Sequence, residues 1–129
     1  MKRELVRRAR KAMENAYAPY SNFKVGAAVL TKDNKIYTGC NVENASYSAT
    51  VCAERVAVFN AVNDGYKEFL MLAVAGGKDG KVTDGAFPCG ICRQVLSEFN
   101  KDDITILIAT ENGFLETTLN ELFPDQFKL

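Results

Sequence analysis

Three cysteines and one glutamate are the residues of this chain most able to do chemistry. Cys52-Ala53-Glu54-Arg55 lies upstream of Pro88-Cys89-Gly90-Ile91-Cys92, and the 129-residue sequence contains no histidine. Three thiolates can hold one Zn²⁺ and leave its fourth position open, as catalytic zinc requires. A carboxylate two residues after the first ligand can handle protons beside a metal-activated water. The missing histidines exclude Ser-His-Asp and Cys-His catalysis, histidine-ligated zinc and a histidine general base. Cys89 and Cys92 are spaced i, i+3, so at the start of a helix they share a face and can grip one ion. A helix N-terminus also favours the thiolate, which is the ligand form. Three thiolates on a dication sum to −1, which weakens the metal as a Lewis acid. Arg55 is well placed in sequence to bond the sulfurs and withdraw that charge.

Each residue also has a plainer reading. Arg55 could be a solvated helix residue, and Glu54 an exposed glutamate in a favourable first helical turn. Cys40 could complete a closed four-cysteine structural zinc, although no Cys-x-x-Cys knuckle stands on its side; a small buried apolar role suits it better. A redox pair formed by Cys89 and Cys92 would leave Cys52 and Glu54 unexplained. Gly80-Lys81 faintly suggests a phosphate loop. The spacing fails, because Ala75 and Val82 stand where Gly and Ser/Thr belong.

Elements able to position these residues can be read from the periodicity. Leu5, Val6, Ala9, Ala12, Met13 and Ala16 recur at helical spacing over residues 3–16, with Lys and Arg on the other face as a solvated surface. Pro19 ends that helix, and residues 17–22 read as loop. Phe23–Leu30 and Lys35–Cys40 read as a hairpin turning at Asp33-Asn34. Residues 41–51 read as loop and Ala53–Val62 as a buried helix. Phe69–Ala75 reads as a central strand, followed by a loop from Gly76 to Phe87. Cys89–Phe99 reads as a helix, Ile104–Ala109 as a buried strand, Phe114–Thr118 as an edge strand, and Leu119–Leu122 as a final turn stopped by Pro124. The order α-β-β-α-β-α-β-β-α predicts an α/β domain over residues 1–129, one mixed sheet covered by helices with right-handed parallel crossovers. Two helices side by side on one face would bring both cysteine groups over one metal.

Bulk properties narrow the function classes. Hydrophobic residues make up 47% and charged residues 25%, ordinary values for a soluble domain, and the formal net charge is zero. Nothing global attracts a polyanion, so nucleic acid is not an expected partner. No apolar run is long enough to span a membrane, and Met1-Lys2-Arg3-Glu4 does not open a secretory signal. A cytoplasmic location with reduced cysteines is the expectation.

Five stretches resemble one family: Tyr17-Ala18-Pro19-Tyr20-Ser21, Phe23-Lys24-Val25-Gly26-Ala27-Ala28, Gly39-Cys40-Asn41-Val42-Glu43-Asn44-Ala45-Ser46-Tyr47, Cys52-Ala53-Glu54-Arg55 and Pro88-Cys89-Gly90-Ile91-Cys92-Arg93-Gln94. They resemble the cytidine deaminases of the small, homotetrameric type. That resemblance implies a three-layer helix-sheet-helix sandwich with a five-stranded mixed sheet. It implies one Zn²⁺ per chain on Cys52, Cys89 and Cys92, Glu54 as proton shuttle, and Arg55 bonding the ligand sulfurs. It implies hydrolytic deamination of cytidine and 2′-deoxycytidine in pyrimidine salvage. Asn41 and Glu43 would hold the ribose 3′-hydroxyl, Phe23 would pack near the pyrimidine, and the Ala53 backbone would meet its polar edge. Ala45 and Tyr47 would reach a neighbouring subunit's site in a homotetramer, and Phe127 would close that site across the interface. Ser48-Ala49-Thr50-Val51 has no account at this level. Three other readings stay open. One is a deaminase of a blasticidin-type nucleoside; another is a non-catalytic structural-zinc domain. The third, a polynucleotide-editing deaminase, is poorly supported by balanced charge and the absence of Trp.

Overall fold

The computed structural model describes residues 1–83 and 85–129. Asp84 falls within the loop expected between Gly76 and Phe87 and lies outside the described residues. Strands β1 (Phe23–Thr31), β2 (Ile36–Cys40), β3 (Phe69–Lys78), β4 (Thr105–Thr110) and β5 (Gly113–Thr118) form one sheet in the order β2-β1-β3-β4-β5. Among the described residues four α-helices accompany it: α1 (Lys2–Ala12), α2 (Ala53–Asn63), α3 (Gly90–Glu98) and α4 (Leu119–Leu122). Only β3 and β4 pair in parallel; the other three pairings are antiparallel.

Side chains alternate across the pleat, and the two faces bury different helices. Ala27, Val29, Leu72, Val74, Ile106 and Ile108 pack with Ala57, Val58 and Ala61 of α2, Leu96 of α3 and Leu119 of α4. Ala28, Leu30, Ala73, Ala75, Leu107 and Ala109 pack with Leu5, Val6 and Ala9 of α1. The result is the expected three-layer helix-sheet-helix sandwich. Each fully buried Leu or Ile contributes roughly 1.5–3 kcal/mol, so the central strands carry most of the core's burial.

Two local boundaries differ from expectation. Helix α1 stops at Ala12 and tightens into a 3₁₀ turn over Met13–Asn15, a common way to finish a helix. Strand β3 continues to Lys78, because Gly76 and Gly77 pair with Val25 and Lys24. A Cβ on Gly77 would lie 1.7 Å from the Lys81 carbonyl oxygen. The following loop folds back onto the strand there, so these glycines are strand positions and the loop starts at Asp79. The connection through α2 is a parallel crossover, as expected. β2 and β3 are both antiparallel to β1, which lies between them, so the connection through α2 skips a strand. The hairpin, with Asn34 at φ 67, folds β2 to the outer edge of β1 and leaves the inner edge to β3.

Gly39 sets how closely α2 approaches the sheet. A Cβ there would lie 2.5 Å from the Ala57 amide nitrogen and 2.8 Å from the Ala53 carbonyl oxygen. Gly39→Ala is therefore expected to push α2 outward and destabilise the fold by about 1–3 kcal/mol. A urea-unfolding midpoint equal to the parent's would show that α2 shifts without penalty.

Candidate metal centre

Both cysteine groups stand at helix N-termini, as their spacing predicts. Cys52 is the N-cap of α2 and Cys89 the N-cap of α3, each with extended backbone. Cys92 follows within the first turn of α3. Because α2 and α3 share one face of the sheet, the three sulfurs lie within 4.8 Å of one another. Cys52 Sγ and Cys89 Sγ are 3.7 Å apart. Zn–S bonds of about 2.3 Å in a tetrahedron separate sulfurs by about 3.8 Å, a spacing the Cys52–Cys89 pair already has. Cys92 is fully buried, Cys52 half-buried and Cys89 exposed, leaving an open side toward solvent.

The charges point the same way. A hydrogen bond from Cys92, with help from Arg55 and Cys89, draws the Cys52 thiol down to about 5. Cys92 is pushed well up, first as the donor in that bond and then by burial. One thiolate forms readily and the next resists without a cation beside it. Arg55 Nη2 donates to Cys52 Sγ at 3.6 Å, while its buried Nε has no hydrogen-bond partner among the described residues.

Glu54 is only 4% exposed, so it is not the solvated helix residue of the plainer reading. Burial raises its carboxyl to about 7, with the Cys52 charge adding to the effect. A carboxyl in that range can both accept and return a proton near neutral pH.

Cys40 takes no part. It is one residue along β2 from Gly39, whose Cβ direction meets α2, so the pleat turns the Cys40 side chain to the α1 face. Among the described residues the metal-competent trio is Cys52, Cys89 and Cys92. The fourth thiol is half-buried, and desolvation raises its pKa.

A cavity of about 240 Å³ opens beside the sulfurs, lined by Phe23, Val25, Asn41, Thr50, Val51, Cys52, Ala53, Glu54, Val74, Ala86, Phe87 and Cys89. Phe23, Asn41, Ala53 and Glu54 thus meet at one place. Asn41 is 8% exposed and bridges β1: its Oδ1 accepts from the Val25 amide at 2.9 Å, and its Nδ2 donates to the Phe23 carbonyl at 2.8 Å. One amide hydrogen and one lone pair are left for a ligand. Glu43 lies in an adjoining hollow of about 230 Å³ with Tyr20, Ser21, Tyr47 and Thr50. Its carboxylate accepts from the Tyr20 and Ser21 amides and from the Ser21 hydroxyl; the hydroxyl bond does most to hold it below the usual carboxylate range. Thr50 lines both hollows, which makes them neighbours.

The remaining expected residues do not enter this cavity. Ala45 is exposed, and Tyr47 is 76% exposed, with its ring edge-on to Tyr20 at 6.2 Å between centroids. Phe127 is 65% exposed. Its neighbours Gln126 and Lys128 bond Asn120 and Asn100, so the tail lies by the C-terminal end of α3, away from the cysteines. Nine residues of helix, about 14 Å, separate the two ends. Sequence reasoning missed Thr50, Val51 and Phe87. The bridge between Val42 and Val51, which folds the loop back to the cavity, has no local signature. An aromatic directly before Pro88-Cys89 was a usable signal for Phe87.

A family model described as the cytidine and deoxycytidylate deaminase zinc-binding region matches residues 1–108. A cytidine deaminase of Sporosarcina psychrophila is 46% identical over 125 residues, covering 96% of this chain and 89% of that protein. Another, from Halalkalibacterium halodurans, is 42% identical over 124 residues, covering 95% and 91%. The crystal structure of the cytidine deaminase from Burkholderia pseudomallei matches with a TM-score of 0.90 at 43% identity, covering 98% of this chain and 99% of that one.

Proposed function

This chain belongs to the cytidine and deoxycytidylate deaminase family, and on that premise we propose that it hydrolyses cytidine and 2′-deoxycytidine to the uridine nucleosides and ammonia. The observation that carries this reading is the buried Glu54 carboxyl beside three converging sulfurs, with Glu54, Cys52 and Cys89 lining a small cavity with apolar walls. Cys52, Cys89 and Cys92 would hold one zinc ion. Bound there, zinc supplies Lewis acidity that makes a water nucleophilic at neutral pH.

The chain's own groups account for the rest. Phe23, Val25, Val74 and Phe87 sandwich a flat ring and exclude bulk water. The amide of Ala53 has no partner within its helix and can meet the ring's polar edge. Glu54 takes the proton of the attacking water. It delivers that proton to the ring nitrogen, then takes the proton of the hydroxyl added at C4 and passes it to the amine, which leaves as ammonia while the carbonyl forms. Arg55 withdraws charge from Cys52. Asn41 and Glu43, in neighbouring hollows, can bond the sugar from two sides.

We read residues 1–129 as one domain acting as a homotetramer. Tyr17, Tyr20, Phe23, Tyr47, Phe87 and Ile91 are each 41–76% exposed, an apolar collar suited to further copies of the chain. Ala45, Tyr47 and Phe127 would serve neighbouring sites. Among the described residues no helix is long and apolar enough to cross a membrane. Free thiols as ligands suit a reducing cytoplasm.

The test is absorbance of cytidine mixed with purified protein, before and after a chelator. Loss of the 4-amino group changes the pyrimidine spectrum, and chelator-sensitive conversion to uridine is expected. No conversion by protein carrying one zinc per chain would overturn the substrate assignment. Light scattering of the same preparation is expected to report a tetramer; a monomer active at full rate would refute shared sites.

A further inference from the structure

Arg93 sits one turn into α3 from Cys89 and is half-buried. Its backbone amide donates to the Cys89 carbonyl at 2.9 Å. Its side-chain Nε donates to the Pro88 carbonyl at 2.8 Å, and its Nη1 to the Leu122 carbonyl at 2.7 Å. Among the described residues it forms no ion pair with a carboxylate. Its guanidinium is therefore used as a two-pronged donor to backbone, not as a charge partner.

The two carbonyls differ in origin. Pro88 immediately precedes Cys89, the exposed member of the sulfur trio and the one with least packing to hold it. Leu122 ends α4, where a helix leaves carbonyls without internal partners. Helix α4 is anchored by Leu119, which is fully buried, and by the Thr118 hydroxyl accepting from the Glu121 amide. Leu122 also lies beyond residues 1–108, the span the family model matches.

We propose that Arg93 is a positioning residue for the metal centre: its guanidinium holds the Pro88 carbonyl and ties the Pro88–Cys89 turn to the end of α4, so that the C-terminal segment holds the Cys89 sulfur toward the ion. This rests on the zinc reading above. A planar guanidinium suits the task because two of its donors point in fixed, divergent directions. A lysine ammonium can satisfy either carbonyl but does not bridge both.

Zinc release to a chromogenic chelator tests the clasp, with metal-free and zinc-loaded melting temperatures measured alongside. R93Q is expected to release zinc about 10- to 100-fold faster than the parent, the usual effect of losing a group that orients a ligand. R93K should fall between. The gap between loaded and metal-free melting temperatures should narrow in the same order. A merely structural arginine would lower both melting temperatures together and leave release within about twofold of the parent, which would overturn the proposal. If R93Q does not fold, R93K decides: parental release refutes the clasp, and faster release supports it. A parent that takes up no zinc would overturn the zinc reading, and this inference with it.

Discussion

Glu54→Gln is expected to keep zinc and fold while lowering kcat/KM for cytidine by about 10³-fold, within the range of a lost general acid–base. The substitution preserves side-chain volume in a site that is 4% exposed, so the core should not rearrange. What disappears is the only carboxyl among the described residues lining the cavity. The same variant carries a stability signature. The buried carboxyl of the parent titrates near 7 in the metal-free fold against an ordinary 4.5. A raised acid pKa means the folded state binds the proton more tightly. Its contribution is fully present below about pH 4.5 and is lost as pH rises toward 7, reaching roughly 3 kcal/mol at neutral pH. Glutamine escapes that loss. Metal-free Glu54→Gln should therefore be more stable than the metal-free parent at pH 7 and similar to it near pH 4. Substantial turnover by the zinc-loaded variant would sink the shuttle assignment. Equal denaturation midpoints at pH 7 would show that the parent carboxyl is not penalised by burial.

Cys89→Ala is expected to abolish both metal retention and activity. Two sulfurs remain, and zinc binding should weaken by more than the ~100-fold typical of losing an outer partner of a ligand. Cys89 is the informative choice because it is exposed. Its removal leaves no core cavity, so the metal-free fold should melt as the parent does. Cys92, fully buried, would confound ligand loss with packing loss. The measurement is zinc per chain after dialysis, with the metal-free melting temperature as control. One tightly held zinc per chain in Cys89→Ala would remove that residue from the ligand set.

The two variants separate two layers of one site. Glu54 acts on protons and should move turnover without moving metal. Cys89 acts on metal and should move both. Arg93 is expected between them, altering how long the ion stays. The physical basis is reach: Glu54 and Cys89 line the cavity, whereas the Arg93 guanidinium meets backbone carbonyls, at Pro88 beside Cys89 and at Leu122.

The chemical core was legible before any folding was considered, and for local reasons. Cys-Ala-Glu-Arg and Pro-Cys-x-x-Cys put ligand and base types at spacings that a single helical turn converts into one face. The strands and helices that carry them follow from near-neighbour hydrophobic period, so α2, α3 and β4 lie within a residue or two of expectation. The end of β3, which runs through Gly76 and Gly77, escaped that reading because glycine looks like loop until something folds over it. There the Lys81 carbonyl leaves no room for a side chain.

Local residue order thus specifies the kind of chemistry: three thiols, one carboxyl, no histidine, and the elements that present them. How those elements share space came from the packing of the whole fold. It inserted β1 between β2 and β3, turned Cys40 to the opposite face from the metal, and committed half of the Asn41 amide to the β1 backbone. It moved Phe127 to the far end of α3, and joined Arg93 to a carbonyl 29 residues away. Periodicity and spacing report only what a residue's chain neighbours impose. Strand order, close backbone approach and carbonyl partners are set by which buried surfaces meet, and that is a property of the assembled core.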